Sequence, residues 1–193
     1  FFIVSGGILF NLFILFCLFI SLYEWHSIGK NEKYYFFGNI FLLISFFTVY
    51  KLINYGGDNK HFIFILLICI LTDIGGYIFG KLLKGPKISK ISPNKTYAGM
   101  LGSFLLSISV VLIISIYSES FIITNKISLN LVLLIMIISI ISQIGDFVIS
   151  YFKRLSKKKN TGNLIPGHGG LLDRIDGMIF AFPFSYIIFS LGI

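Results

Sequence analysis

Between Ser150 and Asp176 the chain reads SYFKRLSKKKNTGNLIPGHGGLLDRID, a segment crowded with residue types that handle phosphate and metal. Lys153, Arg154, Lys157, Lys158 and Lys159 form a cationic cluster suited to phosphate oxygens. Pro166-Gly167-His168-Gly169-Gly170 follows, a run whose glycines admit backbone conformations closed to other residues. Asp173, Arg174 and Asp176 come next, spaced to open a helix with both acids on one face. Only 12% of the chain is charged, so this density calls for a function.

Two further acids interrupt apolar runs. Asp73 and Asp146 would each cost about 2.5–3.5 kcal/mol at the centre of a membrane helix, so such residues face polar cavities. Asp73 precedes Lys81 by eight residues, and Asp146 precedes Lys153 by seven, or about 12 and 10 Å along a helix. That puts both acids just inside one membrane boundary, at the level of Asp173 and Asp176. Four carboxylates on one level suit a hard cation such as Mg²⁺, which also holds substrate phosphate. Asp173 has a second reading, as complement to a helix N-terminus and partner of Arg174. Ser92, Lys95 and Thr96 stand before another apolar run, where free backbone amides favour anions. They read equally as a polar cap on that helix, and the glycine spacing of a Walker loop is absent. Gly76 and Gly80 fit helix packing. His168 suits positioning or phosphate contact better than proton transfer, since a phosphate nucleophile is already ionised near neutral pH. Lys153 and Arg154 lie nearest the acids and are candidate phosphate ligands. Lys157 to Lys159 serve topology and anionic lipid equally well.

The elements that must position these groups are membrane helices. The 193 residues are 56% hydrophobic with a mean hydropathy of +0.91, far beyond a soluble domain. Runs at about 1–22, 34–53, 61–80, 98–118, 127–151 and 171–193 each approach the roughly 20 residues needed to span. The expected fold is an all-α polytopic transmembrane bundle of about six helices. It forms one domain, with 1–60 as generic membrane helices and 61–193 as the catalytic part, including a loop at 152–172. Thirteen of the 16 basic residues fall in the odd-numbered loops. The positive-inside rule then places those loops in the cytoplasm and both ends of the chain outside. The net charge of +8 thus reports topology and an anionic substrate rather than nucleic acid. An outside start predicts at least one N-terminal helix missing from this sequence, which begins at Phe1. Glu24, Glu32, Asp58 and Glu119 read as solvated loop acids. His26 and His61 read as interfacial. Cys17 and Cys69 read as small hydrophobes with no disulfide or zinc.

The pattern Ser150, Lys153-Arg154, Lys159, Gly162, Pro166, His168-Gly169-Gly170 and Asp173-Arg174-Ile175-Asp176 resembles the signature of the phosphatidate cytidylyltransferases. Gly145-Asp146, Thr72-Asp73 with Gly75 and Tyr77, and Ser92-Pro93 with Lys95-Thr96 resemble that family's other blocks, so the likeness covers about 70–182. Asn160 departs from the usual Asp, Tyr97 from Trp, and Ile74 from a small polar residue.

The resemblance implies transfer of CMP from CTP to phosphatidate at the cytoplasmic face of a bacterial inner membrane, with CDP-diacylglycerol and diphosphate as products. It implies Mg²⁺ held by Asp146 and Asp173, and admits K⁺ and a homodimer. Lys153, Arg154, His168, Asp173, Arg174 and Asp176 become the catalytic candidates. Asp73, Ser92, Lys95, Thr96, Gly169 and Gly170 become the substrate-binding ones, with Asp73 and Asp176 orienting ligands or a second cation. Two alternatives share part of this pattern: another membrane lipid phosphotransferase or kinase, and a secondary transporter of an anionic solute. A transporter would carry its polar groups near mid-bilayer.

Overall fold

The computed structural model describes residues 7–29, 32–55, 59–89, 92, 95–117, 128–164 and 169–191. His168, Pro166, Gly167, Pro93, Lys30, Lys90, Lys126, Asp58 and Glu119 lie outside the described residues. Long apolar stretches in lipid must satisfy their backbone internally, and the helix does so within one segment. Among the described residues five helices are long and apolar enough to cross a membrane: α1 (Gly7–Gly29), α2 (Tyr35–Ile53), α3 (Lys60–Leu83), α4 (Tyr97–Tyr117) and α5 (Leu129–Leu155). Ser128 caps α5 by accepting from the amide of Leu131 at 3.2 Å, while Lys153 and Arg154 occupy its last turn, where cations suit the helix dipole.

The sixth expected span is corrected. Residues 171–191 do not form one long helix but a single turn, α6 (Leu172–Ile175), and a 13-residue helix, α7 (Met178–Ser190). At 1.5 Å per residue α7 covers about 20 Å, short of a hydrocarbon core of about 30 Å. The polar turn Asp173-Arg174-Ile175-Asp176 and Gly177 separate the two pieces. The expected helix ends also move. α1 runs on through Glu24 and Trp25, α3 through Lys81, and α5 through Arg154, so these are helical residues rather than loop residues.

α3 is the central helix. Phe64, Ile65, Ile68 and Cys69 are fully buried against Ile135 and Ile138 of α5 and Ala181 and Phe182 of α7. A second cluster joins Trp25 of α1, Leu42 and Phe46 of α2, Ile149 of α5, and Leu172 and Ile179. The outer surface keeps Phe16, Phe19, Phe37, Leu105 and Ile116 exposed, as a lipid-facing surface does. α3 and α4 approach backbone to backbone. A Cβ at Gly75 would stand 2.6 Å from the carbonyl oxygen of Gly102, and one at Gly99 would stand 2.7 Å from that of Gly76. The packing role expected for Gly76 and Gly80 holds, since both face this seam.

The three basic loops share one end of the bundle. Lys95 pairs with Asp146, Ser156 Oγ donates to the carbonyl of Ile28 at 2.7 Å, and Tyr34 OH meets Ser156 Oγ at 2.9 Å.

Candidate active site

At that end a cavity of about 350 Å³ opens between α3, α4, α5 and the α6 turn. α3 supplies Thr72, Asp73, Gly76 and Tyr77; α5 supplies Gln143 and Asp146; the turn supplies Asp173, Arg174 and Asp176. The remaining wall is the segment before α4, with Ile88, Ser92, Lys95 and Thr96, and the first turns of α4 down to Ser103. That segment folds back on itself: the amide of Ile88 donates to the carbonyl of Lys95 at 2.9 Å, and Tyr97 to that of Pro86 at 3.2 Å. Lys95 is thereby aimed at Asp146, over the ring of Phe147. Thr96 lines the cavity, but its hydroxyl accepts from the amide of Gly99 at 3.1 Å, which makes it the cap of α4. Below the cavity Thr72 Oγ1 donates to Ser139 Oγ at 2.8 Å, and Ser103 Oγ to the carbonyl of Thr72 at 2.7 Å.

The carboxylates differ in their surroundings. Asp73, Asp146 and Asp176 lie near enough together for their carboxyl groups to act on one another. Asp146 also accepts from Ser150 Oγ at 3.3 Å. Asp173 is tied down. Its Oδ2 accepts the amides of Thr161 at 2.8 Å and Gly170 at 2.9 Å, with Thr161 Oγ1 at 3.1 Å, while Oδ1 accepts Lys153 Nζ at 2.8 Å. Burial works to raise the Asp173 pKa, but hydrogen bonds from Lys153, Gly170 and Thr161 outweigh it and hold the carboxyl below its ordinary value.

Eight of the singled-out residues therefore line one cavity: Asp73, Ser92, Lys95, Thr96, Asp146, Asp173, Arg174 and Asp176. Lys153 stands behind Asp173, buried, and reaches Asp176 at 3.9 Å. Arg154 is not brought in. It is exposed, and its Nη1 donates to the carbonyl of Lys158 at 3.2 Å. Gly170 shapes the loop through its amide. Gly169, at φ +87°, lies beside Asn160, and a Cβ there would meet Asp173 Oδ2 at 2.6 Å. Ile74 and Tyr97, two departures from the family pattern, are exposed.

One expectation is overturned. Glu24 is not solvated but 3% exposed, and it accepts Thr161 Oγ1, Leu171 N and Leu172 N at 2.7–2.8 Å. In the sequence an acid at the end of an apolar run looks the same whether its carboxylate meets water or a loop. Thr161 and Gln143 were missed too, being ordinary residues beside louder ones.

Residues 39–191 match the family model for the cytidylyltransferase family. The chain belongs to that family. A phosphatidate cytidylyltransferase of Staphylococcus saprophyticus is 42% identical over 134 residues, which is 68% of this chain and 50% of the relative. One from Staphylococcus epidermidis is 39% identical over 133 residues, 67% of this chain and 48% of the relative. One from Rickettsia prowazekii is 38% identical over 138 residues, 68% of this chain and 60% of the relative. The chain spans about half the length of the curated relatives it matches. Glu24 lies outside the cytidylyltransferase match.

The donor set fits the Mg²⁺ that this family resemblance implies. The acids of the cavity offer only oxygen, and Asp73, Asp146 and Asp176 are crowded closely enough that a cation among them would offset their mutual repulsion. Among the described residues no three acids already converge at ligand distance. Mg²⁺ tolerates this, since it keeps several waters and takes one or two carboxylates plus substrate phosphate. Asp173 has spent most of its roughly four lone-pair sites, leaving one on Oδ1.

Proposed function

We propose that the cytidylyltransferase site of this chain moves the cytidylyl group of CTP onto phosphatidate, giving CDP-diacylglycerol and diphosphate. The observation that carries this reading is the cavity itself, where carboxylates and cations alternate at one end of a membrane bundle. Two polyanions, one lipid-borne and one soluble, must meet there, and their repulsion must be offset. The wealth of basic residues in the loops at that end supports a cytoplasmic orientation.

In this reading an oxygen of the phosphatidate phosphate attacks the α-phosphorus of CTP. A new P–O bond forms, the bond to the β-phosphate bridging oxygen breaks, and diphosphate leaves with its electron pair. The nucleophile is already ionised, so no side chain needs to remove a proton. Asp146 would hold Mg²⁺, with Asp176 and the remaining Oδ1 site of Asp173 beside it. That ion supplies charge neutralisation on the phosphates. Lys95 and Arg174 face the cavity and bear on the phosphate oxygens, and Asp73 orients ligands or a second cation such as K⁺. Lys153 acts through Asp173, which it holds in place. The alternative of a mid-membrane transport site finds no support in acids gathered at one end.

The test is CTP-dependent diphosphate release by the purified chain in vesicles, with phosphatidate or polyprenyl phosphate as acceptor. Release with phosphatidate alone supports the reading. Release only with polyprenyl phosphate, or solute uptake without CTP turnover, overturns it.

A further inference from the structure

The acid with the least exposure among the described residues, Glu24, lies outside the cavity. It sits near the end of α1, 3% exposed, in a part of the chain that the family match does not reach. A carboxylate so buried costs several kcal/mol unless its oxygens are supplied with donors. Glu24 has three: Thr161 Oγ1 at 2.8 Å, Leu171 N at 2.8 Å and Leu172 N at 2.7 Å. Charge-assisted bonds of this kind are about twice as strong as neutral ones.

The same loop residues serve Asp173 from the other side. Thr161 gives its amide to Asp173, Gly170 gives its amide to Asp173, and the Thr161 hydroxyl lies between the two carboxylates. The two acids thus clasp the loop between them. The fit is close at Gly162, where a Cβ would stand 2.9 Å from Glu24 Oε1, and at Gly170, where it would collide with Glu24 and Thr161. Further ties fasten α1 to this loop: Ser27 Oγ donates to the carbonyl of Thr161 at 2.9 Å, and Lys158 Nζ to that of Ser27 at 2.5 Å.

We infer that Glu24 is a positioning residue of the active site: it fixes the amides that orient Asp173, and through Asp173 the ammonium of Lys153. The inference rests on the reading of the site as a cytidylyl-transfer centre. It also assigns a task to α1, which the sequence presents as a generic membrane helix. Supporting groups of this kind typically cost about 10- to 100-fold in activity when altered.

The experiment compares Glu24→Gln, Glu24→Asp, Thr161→Val and the control Ser45→Ala in the full chain in lipid nanodiscs. Ser45 is buried in α2, donates to the carbonyl of Ile179 at 2.5 Å, and does not line the active-site cavity. Three quantities are read: thermal midpoint, amide hydrogen exchange over 169–172, and kcat and KM for CTP and phosphatidate. Glu24→Gln and Thr161→Val should speed exchange over 169–172 and lower kcat about 10- to 100-fold, with each KM within about twofold. Glu24→Asp should recover part of kcat. Ser45→Ala should lower the midpoint while sparing both that exchange and kcat. The inference is overturned if exchange over 169–172 is unchanged in Glu24→Gln, or if Ser45→Ala at matched stability loses kcat equally. Should Glu24→Gln not fold, Glu24→Asp decides by the same criteria, since it keeps the charge and shortens the reach to the amides of Leu171 and Leu172. If the wild-type chain shows no CTP turnover while Glu24→Gln still frees those amides, the reaction assignment falls and the Glu24 clasp stands.

Discussion

Glu24 and Asp173 on one side, and Asp73, Asp146 and Asp176 on the other, are acids of the same chemistry put to opposite uses. The first two are held by backbone amides, a threonine hydroxyl and, for Asp173, a lysine. The other three face one cavity, where Asp146 pairs with the partly exposed Lys95 and accepts from Ser150, and Asp176 accepts the amide of Gly177 at 3.0 Å with Lys153 at 3.9 Å. A carboxylate whose lone pairs are filled by its own chain holds that chain in shape. A carboxylate that opens onto a cavity beside others of its kind is prepared for something that arrives from outside. Asp173 belongs to the first group by its bonds but also reaches the cavity, so it is where the two uses meet.

The comparison breaks first at Asp173. Asp173→Asn removes the charge that Lys153, 7% exposed, meets at 2.8 Å, and turns an NH2 either on the ammonium or on the amides of Thr161 and Gly170. Removing one member of a buried pair costs about 3–5 kcal/mol. Denaturation in detergent should show a loss of that order, together with lost turnover. A variant of wild-type stability would mean that Asp173 is a ligand and not an anchor. Asp146→Asn should do the reverse. Its pair with Lys95 is 27% exposed on each side and is worth about 1 kcal/mol or less. Turnover should nevertheless fall roughly 100-fold, or about 2.7 kcal/mol of barrier. Equal losses of stability in the two variants would erase the distinction between the groups.

A pH series sharpens the same contrast. The folded-state pKa of Asp173 is depressed, so its contribution to stability is fully present above the unfolded carboxylate value of about 3.9. That contribution is lost as pH falls through the lower folded value. The difference in thermal midpoint between wild type and Asp173→Asn should be flat above about pH 5 and should shrink on acidification below about pH 4. A difference that grows as pH falls would have the wrong sign and would reject the anchor.

Part of this division is legible in the sequence. Asp73 and Asp146 stand out because an ionisable group inside an apolar run is conspicuous, and helix rise then sets their depth. Glu24 is silent, since its burial depends on a loop more than 130 residues away closing over it. Lys153 and Arg154 look alike as neighbours, yet one residue turns a helix by about 100°, so one is buried against Asp173 and the other donates to Lys158 at the surface. The final apolar run counts as a span by length, but helical hydrogen bonding is interrupted at Asp176 and Gly177, although both keep right-handed helical backbone angles.

The smallest expected effect tests where the cavity ends. Ser139 lies under its floor and accepts the Thr72 hydroxyl at 2.8 Å, while Thr72 itself lines the cavity. Ser139→Ala removes the acceptor, but in a helix the Thr72 hydroxyl can turn to the carbonyl one turn back, so no donor is left stranded. The cost should be about 1 kcal/mol of stability. Turnover should stay within about twofold of wild type, since no carboxylate moves. If Ser139→Ala instead lowers turnover with stability intact, the hydroxyl chain beneath the cavity belongs to the group that meets the ligand, and the line between holding the chain and receiving the substrate runs one helical turn deeper.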